Sequence, residues 1–333
     1  MGPAIARQGE LLPLRFILNT FYSGPQAWFF LAADNGHFAA EGLEVAFTEG
    51  SSLARAVETL AAGGFEAGYG DLNELARMRA EGRRDTPVAV MAIHNRPPYS
   101  IAVDAAGPIA CPADLAGRRL VSHPQDAAML LFPEFCRATG LDPSTVSIDI
   151  SGAPHTEMVP EMLAGRWDGV FGFVNTLAAQ ALEAGIEAGT RLRHLAWAEH
   201  APAFGGGALM VDRGFREAHP GAVAGLCRAV SRGIAEAAAD PQEAIEAVAR
   251  RNPDIDRAAN LARLEGTLAL EMGDAAARDG LGDIADARLA EIARLIAGAK
   301  GYAHCPAPAE VFDRSFLPPP SERARMPGSG GSP

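Results

Sequence analysis

Polar side chains recur in this sequence at the points where short apolar segments end in a turn. In the first quarter of the chain the residues at these points are Asn19, Ser51, Ser52 and Asp71. Their amide, hydroxyl and carboxylate groups can hydrogen-bond a small polar ligand, and they can equally cap the helix that follows each turn. These turns are therefore the candidate positions for functional residues.

The first hundred positions hold ten candidate ligand-binding residues: Asn19, Phe21, Tyr22, Gln26, Ser51, Ser52, Gly70, Asp71, His94 and Asn95. A flat ligand could stack on Phe21 or Tyr22, although either ring could instead pack between two lobes. The serines could receive an oxyanion or only cap a helix. Asp71 could accept a ligand amide or act as a helix cap, and His94 could contact a ligand or be structural.

A second set of eight candidates follows later in the chain: Ser122, His123, Gln125, Asp126, Ala127, Phe171, Phe173 and Asn175. The backbone N–H groups of Asp126 and Ala127 should be unpaired at a helix start, so a ligand acceptor there would gain from the helix dipole. The Asp126 carboxylate would repel an anion at the same place. Asn175 could contact a ligand or cap a helix that runs to Ala184.

The sequence predicts no catalytic residue, no metal site and no cofactor. His155, Glu157 and His194 have no metal-ligand spacing with a nearby acid. The sequence also contains no phosphate-binding loop, dinucleotide fingerprint or nucleophile elbow. Four cysteines are far apart, and Cys136 and Cys227 lie in apolar helical stretches that predict buried thiols.

The charge of the chain argues against nucleic acid as a partner. There are 41 acidic and 29 basic residues, for a net charge of −12, and no basic cluster offsets them. No apolar stretch reaches the ~18 residues that span a bilayer. The first residues lack a charged region followed by an apolar core. We therefore expect a cytoplasmic protein if Met1 is the native start, and a periplasmic or membrane-anchored extracytoplasmic protein if a leader was removed.

The elements that must position these residues alternate between strand and helix. Apolar segments at 14–19, 43–47 and 65–69 are each followed by a polar turn and an amphipathic helix. Such alternation predicts an α/β fold with mixed, mostly parallel sheets flanked by helices. In these sheets ligands collect at the carboxyl ends of the strands, where the candidate residues stand.

The chain also divides into segments that predict two lobes. Residues 12–98 would begin the first lobe, 99–205 would form an inserted second lobe, and 206–316 would return to the first lobe, mostly as helices. The stretches around Arg96-Pro97-Pro98 and Phe204–Gly207 suit a hinge; the alternative is that they are ordinary loops in one domain. Residues 317–333 are rich in Pro, Gly and Ser and predict a disordered tail.

Several phrases of the sequence resemble one known family. They are Ala27–Phe38 running into Glu41–Val45, the turn Glu49–Ser52, the stretch Gly64–Asp71, Asp114–Gly117, Leu163–Asp168 and Phe312–Pro318. Their order and spacing resemble the NMT1/THI5-like, or SsuA-like, substrate-binding proteins of ABC importers, over about residues 12–318. This resemblance implies the two-lobed periplasmic-binding-protein type II fold, closing on a small ligand and docking on an ABC permease in the membrane.

The same family includes pyrimidine-precursor binders and a fungal pyrimidine synthase, whose opening motif carries a Trp and a His. This sequence has Thr20 and Gln26 at those places, and it lacks the synthase's cysteine-rich motif. The first departure argues against a thiamine-pyrimidine ligand, and the second argues against that enzyme.

Three functions remain open from the sequence. The first is a monomeric, non-catalytic solute receptor for an aromatic, heteroaromatic, sulfonate or carboxylate ligand. The second is a cytosolic enzyme of the same fold that acts on a small heterocycle, using Asp71, His94 and His123 as acid and base groups. The third is a ligand-sensing module for a partner protein, for which the sequence offers no distinct signature.

Overall fold

The computed structural model describes residues 11–94, 96–271 and 279–325. Asn95 and the segments 1–10, 272–278 and 326–333 lie outside the described residues. The described strands are β1 (Leu12–Ile17), β2 (Leu43–Thr48), β3 (Ala67–Asp71), β4 (Val88–Ala92), β5 (Tyr99–Asp104), β6 (Arg119–Ser122), β7 (Ser147–Ile150), β8 (Gly169–Phe173), β9 (Leu192–Ala196) and β10 (Gly207–Val211).

These strands form two five-stranded mixed sheets. The first has the order β2-β1-β3-β10-β4 and the second the order β7-β6-β8-β5-β9. In each sheet one strand is antiparallel to its two neighbours: β10 in the first sheet and β5 in the second. The other pairings are parallel, with Phe16 opposite Phe47 and Leu120 opposite Ile148. The predicted α/β class with mostly parallel sheets is confirmed.

The chain passes between the sheets twice within the described residues. It leaves the first sheet after β4 and enters the second at β5, and it returns from β9 to the first sheet at β10. The two crossings lie side by side, because the N–H groups of Ile93 and His94 both donate to the Gly207 carbonyl, at 2.9 and 3.0 Å. We call the two sheets with their helices the first and second lobes.

Helices cover both faces of each sheet. The described α-helices are α1 (Ala27–Asp34), α2 (His37–Ala40), α3 (Leu53–Ala61), α4 (Leu72–Ala80), α5 (Ala127–Leu130), α6 (Phe132–Thr139), α7 (His155–Leu163), α8 (Val174–Glu183), α9 (Ala188–Arg191), α10 (Trp197–His200), α11 (Arg213–Ala218), α12 (Pro220–Ala239), α13 (Pro241–Ala249), α14 (Arg257–Glu271), α15 (Asp286–Lys300) and α16 (Pro308–Val311).

The first six residues of α1 are buried, which explains its dense aromatic sequence. Trp28, Phe29 and Phe30 are fully buried. Helices α12 and α13 pack against α1, and the Phe29 ring lies 5.0 Å from Phe16 of β1, in a tilted arrangement. A helical segment buried in this way shows no polar face.

The second lobe departs from the sequence prediction at one helix. The sequence predicts one continuous helix from Pro124 to Thr139, but the structure has two short helices, α5 and α6, that meet at Leu131. Pro133 lies in the first turn of α6, where a missing N–H is tolerated. In the middle of one long helix the same proline would remove a backbone hydrogen bond. The first helix therefore ends before it, and a second helix begins.

The C-terminal helices contact both lobes rather than the first lobe alone. Helix α15 packs on α4 of the first lobe and on α6 of the second, and α14 packs on α8 and on the 3₁₀ turn Gly24–Gln26. Ile292 and Ile296 of α15 belong to the buried core of the second lobe. The return segment therefore joins the lobes, which its sequence did not reveal.

The start of the predicted tail is ordered. Ala324 is 2% exposed, its N–H donates to the Ser231 hydroxyl at 2.8 Å, and its carbonyl accepts from Leu281 at 2.8 Å. The prediction of disorder from residue 317 is wrong for 317–325, because these contacts satisfy the backbone there. Residues 326–333 lie outside the described residues. Among the helices that the structure describes, none is both long enough and apolar enough to cross a bilayer.

We expect only two of the four thiols to react in the native protein. Cys111 and Cys305 are exposed, whereas Cys136 and Cys227 are buried, and burial raises the pKa of both buried thiols to about 12. Titration with a chromogenic disulfide at pH 8 should therefore count two thiols in the folded protein and four in denaturant. The variant Cys111→Ser should lower the native count to one; three or more native thiols would contradict the packing described here.

Candidate functional site

A cavity of about 430 Å³ lies between the two lobes. We call it the cleft cavity. Its walls come from the turns after β1, β2, β4, β6 and β8, together with α7, α8 and α14. This volume is in the range of small-molecule sites. The eleven predicted residues that line it are Asn19, Phe21, Ser51, Ser52, His94, His123, Gln125, Asp126, Ala127, Phe173 and Asn175.

Six other predicted residues that the structure describes lie away from this cavity: Tyr22, Gln26, Gly70, Asp71, Ser122 and Phe171. Each of them has hydrogen-bonding or packing contacts elsewhere in the fold. Asn95, the remaining candidate, lies outside the described residues. The position of a residue at the cavity wall makes contact with a ligand possible; which of the eleven bind one remains a prediction.

The turn after β1 is held in shape by Gln26 and Tyr22. The buried amide of Gln26 hydrogen-bonds with the side chains of Asn19 and Thr20, at 2.5 and 2.8 Å. The Tyr22 hydroxyl donates to the Phe47 carbonyl at 3.1 Å. Both side chains are therefore engaged within the first lobe and do not line the cleft cavity; their contact with a ligand stays a prediction. Phe21, in contrast, is 52% exposed beside the cavity.

Ser52 acts as a helix cap, the plainer of the two roles predicted for it. Its hydroxyl accepts from the N–H of Arg55 at 3.1 Å and so begins α3. Ser51 beside it is exposed. Because a hydroxyl that accepts can still donate, both serines keep a donor for a ligand oxygen in the cavity.

His94 combines a structural role with a place on the cavity wall. Its Nδ1 accepts from the N–H of Gly207 at 3.1 Å and lies 3.0 Å from the Tyr69 hydroxyl. A backbone N–H can only donate, so the neutral ring carries its proton on Nε2. Burial lowers the pKa of His94 to about 4, and the ring is therefore neutral at pH 7.

Asp71 is buried in a network at the hinge, away from the cleft cavity. Its Oδ1 accepts from the N–H of Asn73 at 2.7 Å, which caps α4, and its Oδ2 accepts from the Tyr99 hydroxyl at 2.5 Å. The Asn73 side chain also bonds both N–H and carbonyl of Gly205, at 2.8 and 3.1 Å. The carboxylate thus links β3 to the two crossings and lines the charged cavity described below rather than the cleft cavity; its role as a ligand acceptor stays a prediction.

Gly70 is also a packing residue. A Cβ at this position would lie 2.7 Å from Val57 and 2.9 Å from the Met210 sulfur. Only a residue without a side chain fits between α3 and β10 at this point. The close packing of the helix on the sheet therefore explains this glycine.

The N–H groups in the first turn of α5 already have a hydrogen-bond partner, the carboxylate of Asp126. Asp126 accepts from the N–H groups of Ala128 and Met129, at 2.8 and 3.2 Å, and its own N–H donates to the His123 carbonyl at 3.3 Å. The prediction that the Asp126 N–H is unpaired is wrong, because the turn 123–126 uses it. The Ser122 hydroxyl also donates to the His123 carbonyl, at 3.1 Å, which explains its absence from the cavity wall.

Two histidines of the second lobe meet at the wall of the cavity. The rings of His123 and His155 lie edge to face with centroids 4.6 Å apart. His155 Nε2 donates to the Phe171 carbonyl at 3.0 Å, since a carbonyl can only accept. Burial lowers the pKa of both histidines, which favours neutral rings in this part of the cleft.

Phe171 and Phe173 take different places because β8 ends between core and cleft. Phe171 is fully buried, with its ring 5.2 Å from Phe132 in the core of the second lobe, so it does not line the cleft cavity; its contact with a ligand stays a prediction. Phe173 is the last residue of β8, lies 5.5 Å from the Tyr99 ring and reaches the cavity wall.

Asn175 is not the cap of α8. The helix begins at Val174 with Phe173 in the cap position, and the Asn175 amide turns toward α14. Its Nδ2 donates to the Thr267 hydroxyl at 2.5 Å and to the Arg263 carbonyl at 3.4 Å. The prediction that Asn175 caps α8 is therefore wrong, because its side chain hydrogen-bonds with α14 instead.

Helix α14 closes one side of the cavity and touches both lobes. Asn260 Oδ1 accepts from the N–H of Gly24 in the first lobe at 2.8 Å. A Cβ at Gly266 would lie 2.8 Å from the Asn175 Cβ in the second lobe. The cavity-lining residues on α7, α8 and α14 that the sequence analysis missed are His155, Thr176, Gln180, Arg263 and Thr267. No turn signal directly precedes Gln180, Arg263 or Thr267, since they lie within helices, whereas His155 follows the turn at 151–154 and begins α7.

A second cavity of about 420 Å³ lies between α3, α4, α5, α6 and α15. We call it the charged cavity. Its bases are paired: Arg77 lies 2.6 Å from Glu74, Lys300 lies 2.9 Å from Glu134, and Arg55 contacts Glu58. It shares Gln125 and Ala127 with the cleft cavity, so the two spaces flank the start of α5. Within the described part of the chain no group of His, Cys, Asp and Glu is arranged to hold a metal ion.

Comparison with known proteins identifies the family. The family model described as NMT1/THI5 like matches residues 25–244. The chain belongs to this NMT1/THI5-like family. A comparison with the curated proteins finds no match.

Solved structures show the same fold at low identity. The alkanesulfonate-binding protein SsuA from Xanthomonas axonopodis pv. citri, bound to MOPS, is 16% identical with a TM-score of 0.66, over 92% of this chain and 100% of that chain. The periplasmic aliphatic sulphonate binding protein SsuA from Escherichia coli is 14% identical with a TM-score of 0.64, over 88% of this chain and 94% of that one.

A third similar structure is the Candida albicans CA3427 gene product, described as having the generic periplasmic binding protein fold. It is 12% identical with a TM-score of 0.60, over 96% of this chain and 99% of that chain. The family resemblance and the two-lobed fold expected from the sequence are both confirmed by these comparisons.

The buried carboxyl of Asp71 predicts a pH dependence of stability. Burial raises its pKa to about 6, whereas the unfolded chain ionises it near 4. The free energy of unfolding should therefore fall by about 3 kcal/mol as the pH rises from 4 to 7. The isosteric variant Asp71→Asn cannot ionise and should gain this amount relative to the wild type over the same range, measured by urea unfolding at each pH.

Asp142→Asn serves as the control with the opposite sign. Asp142 also caps a turn, but hydrogen bonds from Ser144 lower its pKa. This variant should lose stability relative to the wild type as the pH rises from 2 to 5. Parallel pH profiles for Asp71→Asn and the wild type would contradict a buried, ionisable Asp71.

The contact between α14 and α8 predicts opposite effects for two glycine substitutions in helices. Gly266→Ala places a methyl group against Asn175 and should lower the free energy of unfolding by about 1–3 kcal/mol. Gly298→Ala on α15 meets no atom within 4 Å and should raise that free energy by up to about 1 kcal/mol through helix propensity. Chemical denaturation compares the two; equal effects would argue against the close approach of α14.

Proposed function

We propose that this protein is the extracytoplasmic solute receptor of an ABC importer and that it captures one small ligand between its lobes. The observation that carries the proposal is the cleft cavity, whose wall includes Asn19 and Ser51 of one lobe and His123 and Phe173 of the other. Membership of the NMT1/THI5-like family supports it. So does the likeness to SsuA proteins named for binding alkanesulfonates and aliphatic sulphonates.

The mechanism we propose is closure about the paired crossings. The two crossings are short and hydrogen-bonded to each other through Gly207, so a rotation of one lobe against the other needs changes at only a few backbone torsions. A ligand held by both lobes stabilises the closed arrangement by the difference between its affinities for the closed and open forms. The closed form would then dock on the membrane permease.

The ligand we propose is small and partly apolar. Phe21, Leu53, Tyr69 and Phe173 supply apolar surface, and hydroxyl and amide groups surround it. This lining fits an aromatic or heteroaromatic solute, or a sulfonate or carboxylate with an apolar body.

The enzymatic alternative required two of Asp71, His94 and His123 to face one ligand. Asp71 is engaged with Tyr99 and the start of α4, outside the cleft cavity. A general base must lie within hydrogen-bond reach of the proton that it takes. The pairs that include Asp71 are therefore disfavoured, and the enzymatic alternative depends on His94 and His123, which both line the cavity.

A thermal-shift screen of small solutes, followed by calorimetry, tests the receptor. A ligand at a hundred times its Kd should stabilise the protein by about 2.7 kcal/mol, which raises the Tm by several degrees. The ligand should be recovered unchanged after long incubation. Absence of any solute that binds below millimolar concentration would count against a receptor, and turnover of a bound solute would favour the enzyme.

A further inference from the structure

Three buried polar atoms of residues at the wall of the cleft cavity have no hydrogen-bond partner among the described residues. They are Nε of Arg263 on α14 and, on α8, Oδ1 of Asn175 and Oε1 of Gln180. All three residues line the cavity. Buried polar atoms in folded proteins nearly always have a partner, so one unsatisfied donor and two unsatisfied acceptors on the wall point to groups that a ligand supplies.

Arg263 differs from the other cations near the cleft because it lacks an ion pair. The bases of the charged cavity are each paired with a carboxylate, as Arg77 is with Glu74 at 2.6 Å and Lys300 is with Glu134 at 2.9 Å. Arg263 forms no ion pair with any carboxylate in the described part of the chain. Glu183 acts on it only at a distance, and the Phe21 ring lies 5.9 Å from its guanidinium carbon.

The guanidinium keeps its charge in this position. Burial lowers the pKa of Arg263 to about 10, which leaves it protonated at neutral pH. The Arg263 side chain is partly buried, with its Nε fully enclosed, and a cation in such a place without a partner costs stability. An anion that enters the cavity would therefore remove an unfavourable arrangement as well as form a new contact.

The remaining ionisable groups at the cavity wall do not neutralise Arg263. The Asp126 carboxylate is held by the N–H groups of Ala128 and Met129. The lowered pKa values of His94, His123 and His155 favour neutral rings. Among the described residues that line it, the cleft cavity thus presents Arg263 as its one unpaired positive charge.

We propose that Arg263 selects the charge of the ligand, which is a small organic monoanion whose carboxylate or sulfonate pairs with the guanidinium. The Asn175 oxygen then accepts an N–H or O–H of the same ligand. This inference rests on the proposed receptor function and names its ligand class. Because α14 also contacts Gly24 of the first lobe through Asn260, an anion held by Arg263 is held against both lobes.

The first test needs no ligand. Arg263→Gln removes a buried, unpaired charge, so the Tm of the variant without ligand should equal or exceed that of the wild type. Arg257→Gln is the matched control: it removes the same charge from the same helix, at an exposed site paired with Glu246 at 2.8 Å. A fall in Tm for Arg263→Gln of several degrees beyond the control would assign Arg263 a structural role and overturn the inference.

The second test measures binding of matched pairs by calorimetry at pH 7. A solute set is assembled in which each carboxylate or sulfonate has its neutral amide, such as benzoate with benzamide and benzenesulfonate with benzenesulfonamide. The wild type should bind the anion of a pair at least tenfold more tightly than the amide. Arg263→Gln should weaken the anion by roughly tenfold to a hundredfold and the amide by less than twofold, while Arg257→Gln changes neither.

The outcomes separate the two proposals. Amides that bind as tightly as their anions, or anions unaffected by Arg263→Gln, would overturn charge selection and leave the receptor intact. If no member of either class binds, the receptor itself fails. Arg263→Lys keeps the charge but loses the planar fork, so it should retain the preference for anions at lower affinity; loss of that preference in a folded Arg263→Lys protein would also overturn the inference.

Discussion

The close approach of the two crossings is the constraint on which the cleft depends. Gly205, Gly206 and Gly207 run directly against the end of β4, and a Cβ at Gly206 would lie 2.5 Å from that of His94. A Cβ at Gly207 would lie 2.6 Å from the Tyr69 ring. Side chains at these positions would push the crossings apart. The lobes would then no longer face each other at one short hinge, and the turns after their strands would not share a cavity.

Buried polar side chains form hydrogen bonds with one another and with the backbone at the hinge. Asp71, Asn73 and Tyr99 bond one another and the backbone of Gly205, while His94 bonds Gly207. Asp71 and His94 were candidate ligand contacts in the sequence, because a polar residue that follows a strand can either contact a ligand or stabilise the hinge. A network whose members satisfy one another fixes one arrangement of the backbone, so these residues support the cleft without lining all of it.

The sequence predicted what short-range patterns determine and missed what packing determines. Strand–turn–helix alternation located the strands and the polar turns, and Ser52, Asp71 and Asp126 cap helices as their positions suggest. Asn175 shows the limit: a cap was expected from its neighbours, but Thr267, 92 residues away, takes its amide. Likewise Phe171 and Phe173 have similar sequence surroundings. Phe171 lies in the core and Phe173 at the cavity wall only because β8 ends at Phe173.

The most informative side chain of the cleft lies where family membership gives no guidance. The family match ends at residue 244, whereas Arg263 is on α14, beyond it. The family match therefore says nothing about Arg263, and the charge selection that we propose is argued from the contacts of α14 alone. Helix α14 bonds one lobe through Asn260 and the other through Thr267. In our proposal, recognition of charge and closure of the lobes therefore depend on the same helix, and a substitution on α14 would change selectivity while the strand-end turns that build the cleft remain as they are.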